Sequence, residues 1–295
     1  MIDSGDTKHK QDTRVSSANE EFEKIFMSFS LENQILHCDH YELLDFFRKW
    51  LPTHQPILEA GCGSGRWVVW FTNQGWQATG LDWSSTLIDR ARQAFPKIRF
   101  DIGDMRDMPY LNDQFGSIIS LGAIEHTPEG PMKSLFEYHR VLKPNGIAII
   151  TVPYLSPVRK IVRFVTKLKL LLKRNKLIRT LFGKPSGNKS FNEAKKETLA
   201  NYAADYVMTD QGWKFFQYHF SKKQMKNFLT NANFEIIEEI EGFAEEGILH
   251  NFGKLSGKYN YEKGTVSLSW IGKFLLYLVP IRVSGHMLCY IVKKI

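Results

Sequence analysis

"ILEAGCGSG", residues 57–65, is the stretch from which the rest of this chain can be read. A short apolar run leads into Gly61, Gly63 and Gly65 at alternate positions, and "RWVVWFTNQG" (66–75) follows with helical spacing. A glycine-rich turn between a strand and a helix lets backbone N–H groups approach an anionic or zwitterionic ligand. A dinucleotide site wants GxGxxG, its pyrophosphate resting on the helix N-terminus. Here the third glycine comes one residue early, and Arg66 stands where that pattern needs glycine. A loop tight throughout and led by an acid, Glu59, suits a ligand with an ammonium and no pyrophosphate. The spacing alone is equally that of a plain tight turn.

The neighbours narrow the choice. From Pro56 short apolar runs ("PILEAG", "QATGLD", "IRFDIGD", "FGSIISLG", "GIAIITVP") alternate with amphipathic stretches such as "STLIDRARQAF" and "PMKSLFEYHRVLKP". Strands apolar on both sides, alternating with helices, predict a parallel sheet covered on both faces over residues 56–152. Asp82 closes the second strand, where a carboxylate can accept both hydroxyls of a ribose, and Trp83 can pack on a base. Asp104 closes the third, where it can accept from an adenine amino group while Met105 offers its backbone amide. The fourth ends at "SLGAIEH", over the opening of the same site. Ligands bind open α/β sheets at this carboxyl edge.

As a set, in this order and spacing, "LEAGCGSG", "GLD", "GDMRDMPY", "FGSIISLGAIEH" and "RVLKPNGIAIITVP" resemble the class I S-adenosylmethionine-dependent methyltransferases, close to the methyltransferase type 11 group. The later "YHFSKKQMKNFLTNANFEIIE" is similar to the helix and strand that complete that fold. The resemblance implies a Rossmann-like α/β fold with a seven-stranded sheet in the order 3-2-1-4-5-7-6, the last strand antiparallel. It implies S-adenosyl-L-methionine as cofactor, its methionine part cradled by Glu59, Gly61, Gly63 and Gly65. Asp82 would hold the ribose beside Trp83, Asp104 and Met105 would read the adenine edge, and Leu121 would pass near the sulfonium. Residues 1–38, 155–210 and 247–285 match nothing general. The expected organisation is therefore an N-terminal tail and helix (1–38), then a methyltransferase domain (39–295) with insertions at 155–210 and 247–285.

Methyl transfer from a sulfonium is an in-line displacement that depends on alignment and exclusion of water. A neutral hydroxyl acceptor also needs a base, and His126 is the best-placed candidate; its other reading is an anchor for the loop. Some relatives bind a divalent metal here through E-x-x-E-H, but Gly122 replaces the first Glu, so no catalytic metal is expected. "GAIEHTPE" is not the D/N/S-P-P-Y loop of amino-methylating nucleic-acid enzymes, which disfavours nucleic acid as a target.

The 295 residues are 43% apolar, enough for a full core, which excludes global disorder. Net charge is +8, yet the segment 158–184 alone holds ten Lys and Arg and no acid. There Ile161, Val162, Phe164, Val165, Leu168, Leu171 and Leu172 fall at helical spacing between the cations. Such a helix reads as a lid on the protein's own core or as a contact with an anionic membrane surface. "SLSWIGKFLLYLVPIRV" (267–283) is a second amphipathic piece; Lys273, Pro280, Arg282 and His286 argue against a spanning helix. The aromatics Tyr202, Tyr206, Trp213, Phe216 and Tyr218 line an acceptor site or fill core. A loose tail without an apolar run at the N-terminus and three unpatterned cysteines (Cys38, Cys62, Cys289) point to a cytoplasmic protein, peripheral at the membrane if the basic helix docks. The expected activity is methyl transfer to oxygen of a small-molecule or lipid-like acceptor. The alternative is a non-catalytic module that binds the cofactor and docks through the basic insertion. A helix behind Asp39 as N-cap (39–51) and another behind Ser221 complete the expectations.

Overall fold

The alternating apolar runs become one sheet because each strand offers apolar side chains to both faces. The computed structural model describes residues 23, 26–28, 30–172, 198, 200–210, 212–260 and 265–295. Its strands are β1 (Ile57–Ala60), β2 (Ala78–Asp82), β3 (Arg99–Ile102), β4 (Phe115–Leu121), β5 (Leu142–Pro153), β6 (Ala203–Thr209), β7 (Gly212–His219), β8 (Phe234–Gly242), β9 (Gly257–Asn260), β10 (Thr265–Leu268) and β11 (Met287–Lys294). Seven form a sheet in the order β3-β2-β1-β4-β5-β11-β8. The first five run parallel, and β11 lies antiparallel between β5 and β8. With β8 and β11 as sixth and seventh strands, this is the expected order.

Side chains alternate between two cores, as the two-residue period of a strand requires. Leu58, Ile118, Ile150 and Tyr290 face one side, packed by the helices Met132–Val141 and Lys222–Asn231 and by β7. Ile57, Ile119, Ile149 and Ile291 face the other, where Trp67, Trp70 and Phe71 of the helix Arg66–Asn73 meet Phe47. Phe47 stands edge-on to Trp67, with ring centroids 5.1 Å apart, the arrangement favoured by their quadrupoles. β3 is an edge strand and buries only Phe100 fully, so the expectation of two-sided burial holds for the inner strands and stops there.

Two local expectations meet different outcomes. Ser221 caps the helix Lys222–Asn231 in a full capping box with Gln224. Asp39 caps nothing: it lies in a 3₁₀ turn, His37–His40, and its carboxylate accepts a hydrogen bond from Trp70 Nε1 at 2.8 Å. The regular helix begins only at Leu44. Burial of an indole N–H needs a partner, and that need outweighs a local cap.

Between β5 and the helix Lys222–Asn231 come the helix Pro157–Leu172 and the β6–β7 hairpin; between β8 and β11 come the helices Ala244–Phe252, Trp270–Leu278 and Ile281–Ser284 and the β9–β10 hairpin. Tyr202 and Tyr218 pack into core against Phe220 and Phe228, which decides those two aromatics in favour of packing. Among the described residues no helix is long and apolar enough to cross a membrane. The tail 1–20, the cations beyond Leu172 and the polar stretch 183–196 lie outside the described residues. Replacing Ser221 with Ala removes an N-cap and should cost about 1 kcal/mol of stability, read from the midpoint of urea denaturation.

Candidate active site

Local backbone chemistry builds the site at the carboxyl ends of β1 to β4. Gly61, Gly63 and Gly65 all have positive φ, at +80°, +53° and +80°. Such angles are strained for any residue with a Cβ. At Gly61 a Cβ would also stand 2.5 Å from that of Ala123, so the β1 and β4 loops approach as only glycine permits. At Gly65 a Cβ would overlap the Phe100 ring, and this residue sits at the start of the helix Arg66–Asn73 without lining the pocket. The loop is held from across the sheet: Asp82 accepts from the Gly63 amide at 2.7 Å and from the Ser84 amide at 2.9 Å.

One pocket gathers Glu59, Gly61, Gly63, Asp82, Trp83, Asp104, Met105, Leu121 and His126, nine of the ten residues singled out from sequence. Glu59 is its most unusual wall. The carboxyl is 5% exposed, Oε2 has no hydrogen-bond partner, and burial pushes its pKa up to about 8 against the pull of Arg66 and the Val68 amide. A buried carboxylate without a counter-charge is costly, and a ligand cation at this point relieves it. Burial also raises Asp82, although the amides of Ser84, Gly63 and Trp83 oppose the shift. Trp83 stays 39% exposed at the rim, with an open face for a flat ring.

Asp104 differs from the simple picture of a free acceptor. Arg106 of its own loop grips both its oxygens and reaches on to Glu129 Oε1 at 2.7 Å. The Met105 sulfur accepts from the Tyr138 hydroxyl at 3.4 Å, fixing the side chain below the loop. His126 Nδ1 lies 2.7 Å from the Phe216 carbonyl, which can only accept, so Nδ1 carries the proton and donates. The Gly122 carbonyl is a second hydrogen-bonding neighbour of the ring. Burial drives the His126 pKa down to about 4, with the Phe216 and Gly122 carbonyls opposing. Glu125 next to it is buried, leaves Oε2 unpartnered and is raised by burial to about 8.

Sequence reasoning missed Phe26, Arg66, Arg106, Thr127 and Pro128, all of which line the pocket. Phe26 comes within van der Waals reach of Gly63, and Glu23 accepts a hydrogen bond from the Ser84 hydroxyl, so these two residues lie by the glycine loop and the strand end beside it. No motif marks either of them for that place; only long-range contact does.

Residues 57–146 match the family model described as "Methyltransferase domain". They form a class I S-adenosylmethionine-dependent methyltransferase domain. Over this part the chain is 33% identical to a demethylmenaquinone methyltransferase of Chlorobaculum parvum, covering 35% of this chain and 44% of that one. It is 28% identical to a dTDP-3-amino-3,4,6-trideoxy-alpha-D-glucopyranose N,N-dimethyltransferase of Streptomyces venezuelae, covering 37% and 47%. The chain thus spans under half the length of either relative. In three dimensions it resembles a methyltransferase from Methanosarcina mazei with a TM-score of 0.54 at 16% identity, covering 85% of this chain and 97% of that one. The family match stops at residue 146, so both insertions lie beyond it.

The raised Glu59 pKa has a sign that can be checked. The folded chain keeps a proton that the unfolded chain releases above about pH 4.5, so this stabilising contribution is complete below that pH and lost as pH rises through about 8. Without cofactor, stability of the wild-type chain should fall more steeply between pH 6 and 8.5 than that of Glu59→Gln in urea titrations. Parallel slopes would mean that Glu59 is already ionised.

Proposed function

We propose that this protein transfers the methyl group of S-adenosyl-L-methionine to a hydroxyl oxygen of a small-molecule or lipid-like acceptor. The observation that carries the reading is Glu59 Oε2, a buried, unpartnered carboxylate oxygen on the wall of the glycine pocket. It fits the α-ammonium of the cofactor's methionine part, with Gly61 and Gly63 letting the backbone come close. The lone pairs of Asp82 not used by amides take the ribose hydroxyls, and Trp83 covers the adenine. Asp104 and Met105 meet the adenine edge, and Leu121 stands near the sulfonium. When bound there, the cofactor supplies an electrophilic methyl that needs no further activation.

The chain contributes alignment, dryness and a base. Pre-positioning two reactants replaces a costly encounter in solution. His126 is the base that receives the acceptor's proton as the hydroxyl oxygen gains its new bond, and the Nδ1 bond to the Phe216 carbonyl orients its ring. Its low pKa keeps it neutral, and so able to act, across the neutral range. The division that supports this role is a tail and helix to residue 38, then a catalytic domain whose insertions at 155–210 and 247–285 shape the acceptor side.

Exposed apolar side chains favour a lipid-like acceptor and an anionic membrane as its source. On the helix Pro157–Leu172, Ile161, Phe164, Val165 and Leu168 face solvent. On Trp270–Leu278, Trp270 is 78% exposed and Tyr277 87%, with Phe274 between them. Exposed Lys160, Lys167, Lys254, Lys258, Lys273 and Arg282 lie on or beside these helices. Apolar side chains among cations are the pattern of an interfacial surface. The name of the demethylmenaquinone relative is in line with such an acceptor.

The direct test is turnover: formation of S-adenosylhomocysteine and of metabolites heavier by one methylene when protein and cofactor meet a cell extract. His126→Ala should lower that turnover by about 10²-fold or more, and the wild-type rate should be level above about pH 5 and fall as His126 is protonated near pH 4. Cofactor binding without any product across broad acceptor panels would leave only a binding module. Separately, wild-type protein should co-sediment with vesicles containing anionic lipid, and Phe164→Asp with Trp270→Asp should abolish this while cofactor affinity is unchanged. Equal sedimentation of the variant removes the membrane from the reading.

A further inference from the structure

Behind the β6–β7 hairpin, away from the glycine pocket, a second polar centre is left unsatisfied. Among the described residues, Asp205 on β6 is its only carboxylate. His219 on β7 donates Nε2–H to Asp205 Oδ2 at 2.7 Å, which in the neutral ring leaves Nδ1 as a lone pair. That nitrogen has no partner, and the His219 side chain is 1% exposed. Arg163 binds Asp205 through Nη1 and the Ala204 carbonyl through Nη2. Arg159, one turn earlier on the same helix, has a side chain only 15% exposed. Its Nη1 donates to the His250 carbonyl at 3.1 Å, and its Nη2 is 3.9 Å from Asp205 Oδ2, beyond hydrogen-bond reach.

Two imidazoles complete the group. His250 and His286 stack with centroids 4.2 Å apart and planes 5° from parallel, and neither ring hydrogen-bonds to another described residue. The charges of Arg159, His219 and Asp205 reach both rings. Burial lowers the pKa of His219, His250 and His286; Asp205 opposes the shift at His219, Arg159 adds to it at His250, and His250 and then Arg159 add to it at His286. Burial alone would raise Asp205, but His219 and Arg163 hold it well below the ordinary carboxylate range.

The balance is therefore two guanidinium groups against one carboxylate, with three imidazoles around them that carry unused donor or acceptor capacity. A buried cluster that merely tied helix to hairpin would satisfy its donors internally. Here Arg159 Nη2, His219 Nδ1 and the His250 and His286 ring nitrogens remain open, and the local charge is positive by one. Partial exposure of Arg163 and Asp205, about a third each, leaves a way in.

We propose that Arg159, Arg163, His219, His250 and His286 form an oxyanion site for a phosphate group, carried by a soluble phosphoester or by a lipid headgroup. The oxygens of one small anion accept from Arg159 and Arg163 and from one ring N–H each of His250 and His286, while the hydroxyl of a monoprotonated phosphate donates to His219 Nδ1; these groups arrive from four separate segments, and guanidinium–phosphate bonds are strong because both partners are charged. Asp205 orients the two arginines and His219, and it also competes with the incoming anion. The site is distinct from the glycine pocket, and its test reads binding rather than methyl transfer, so it stands or falls apart from the proposed activity.

Titration of the full chain, loaded with S-adenosylhomocysteine, with inorganic phosphate and with glycerol 3-phosphate should show saturable binding by calorimetry. Arg159→Gln should weaken it about tenfold or more, as loss of a charge-assisted hydrogen bond predicts. Asp205→Asn should tighten it, a change in the opposite sense to the loss of stability that the same variant suffers. Thermal melts check that both variants fold. Vesicles of phosphatidylcholine with phosphatidic acid separate the sources: glycerol 3-phosphate displaces the protein from them if the headgroup is the ligand, and leaves vesicle binding unchanged if a soluble phosphoester is. Absence of saturable phosphate binding by folded wild-type protein overturns the site, as does binding that is indifferent to Arg159→Gln.

Discussion

Asp82 accepts hydrogen bonds from the amides of Gly63 and Ser84, and on this double contact the geometry of the whole pocket depends. Its carboxylate ends β2, while Gly63 belongs to the turn after β1, so one side chain locks two adjacent strand ends in register. A loop with three positive φ angles has high conformational entropy when unfolded. The contact from a neighbouring strand selects one of its shapes. The backbone is then tight enough for a ligand to lie against it, and the helix Arg66–Asn73 can start at once and bury its two tryptophans.

From that locked turn the distribution of charge follows. Glu59 is carried inward by β1, where burial raises its pKa to about 8 against the pull of Arg66. His126 is buried too, and burial holds it neutral against the opposing pull of the Phe216 and Gly122 carbonyls. Opposite shifts in two groups of one pocket suit a cation-binding end and a proton-accepting end. Both shifts arise chiefly from burial.

The insertions divide their faces between two tasks. On the helix Pro157–Leu172 the residues turned inward include Arg159 and Arg163, while Ile161, Phe164, Val165 and Leu168 point outward. This inverts the usual arrangement of a surface helix, whose apolar stripe faces the core. A helix that buries its arginines and exposes its leucine and phenylalanine is stable only where the arginines have partners and the apolar face has use. Asp205 supplies the first. The proposed membrane contact is the use for the second.

How much was legible beforehand can be judged from particular residues. The strand runs, the glycine turn, Asp82 and the Ser221 cap depend on neighbours within a few positions or on a two-residue period, so the sequence alone determined the sheet, its covered faces and nine of the pocket's residues. Asp39 was misjudged because its partner, the Trp70 indole, lies 31 positions away. Phe26 over Gly63, the Arg106 grip on Asp104, the ring orientation of His126 and the Asp205–His219–Arg159 centre were decided only by tertiary structure. Each joins groups whose meeting is set by the packing of whole elements, and a local pattern in the chain carries no information about which distant side chain will arrive to satisfy a buried polar atom.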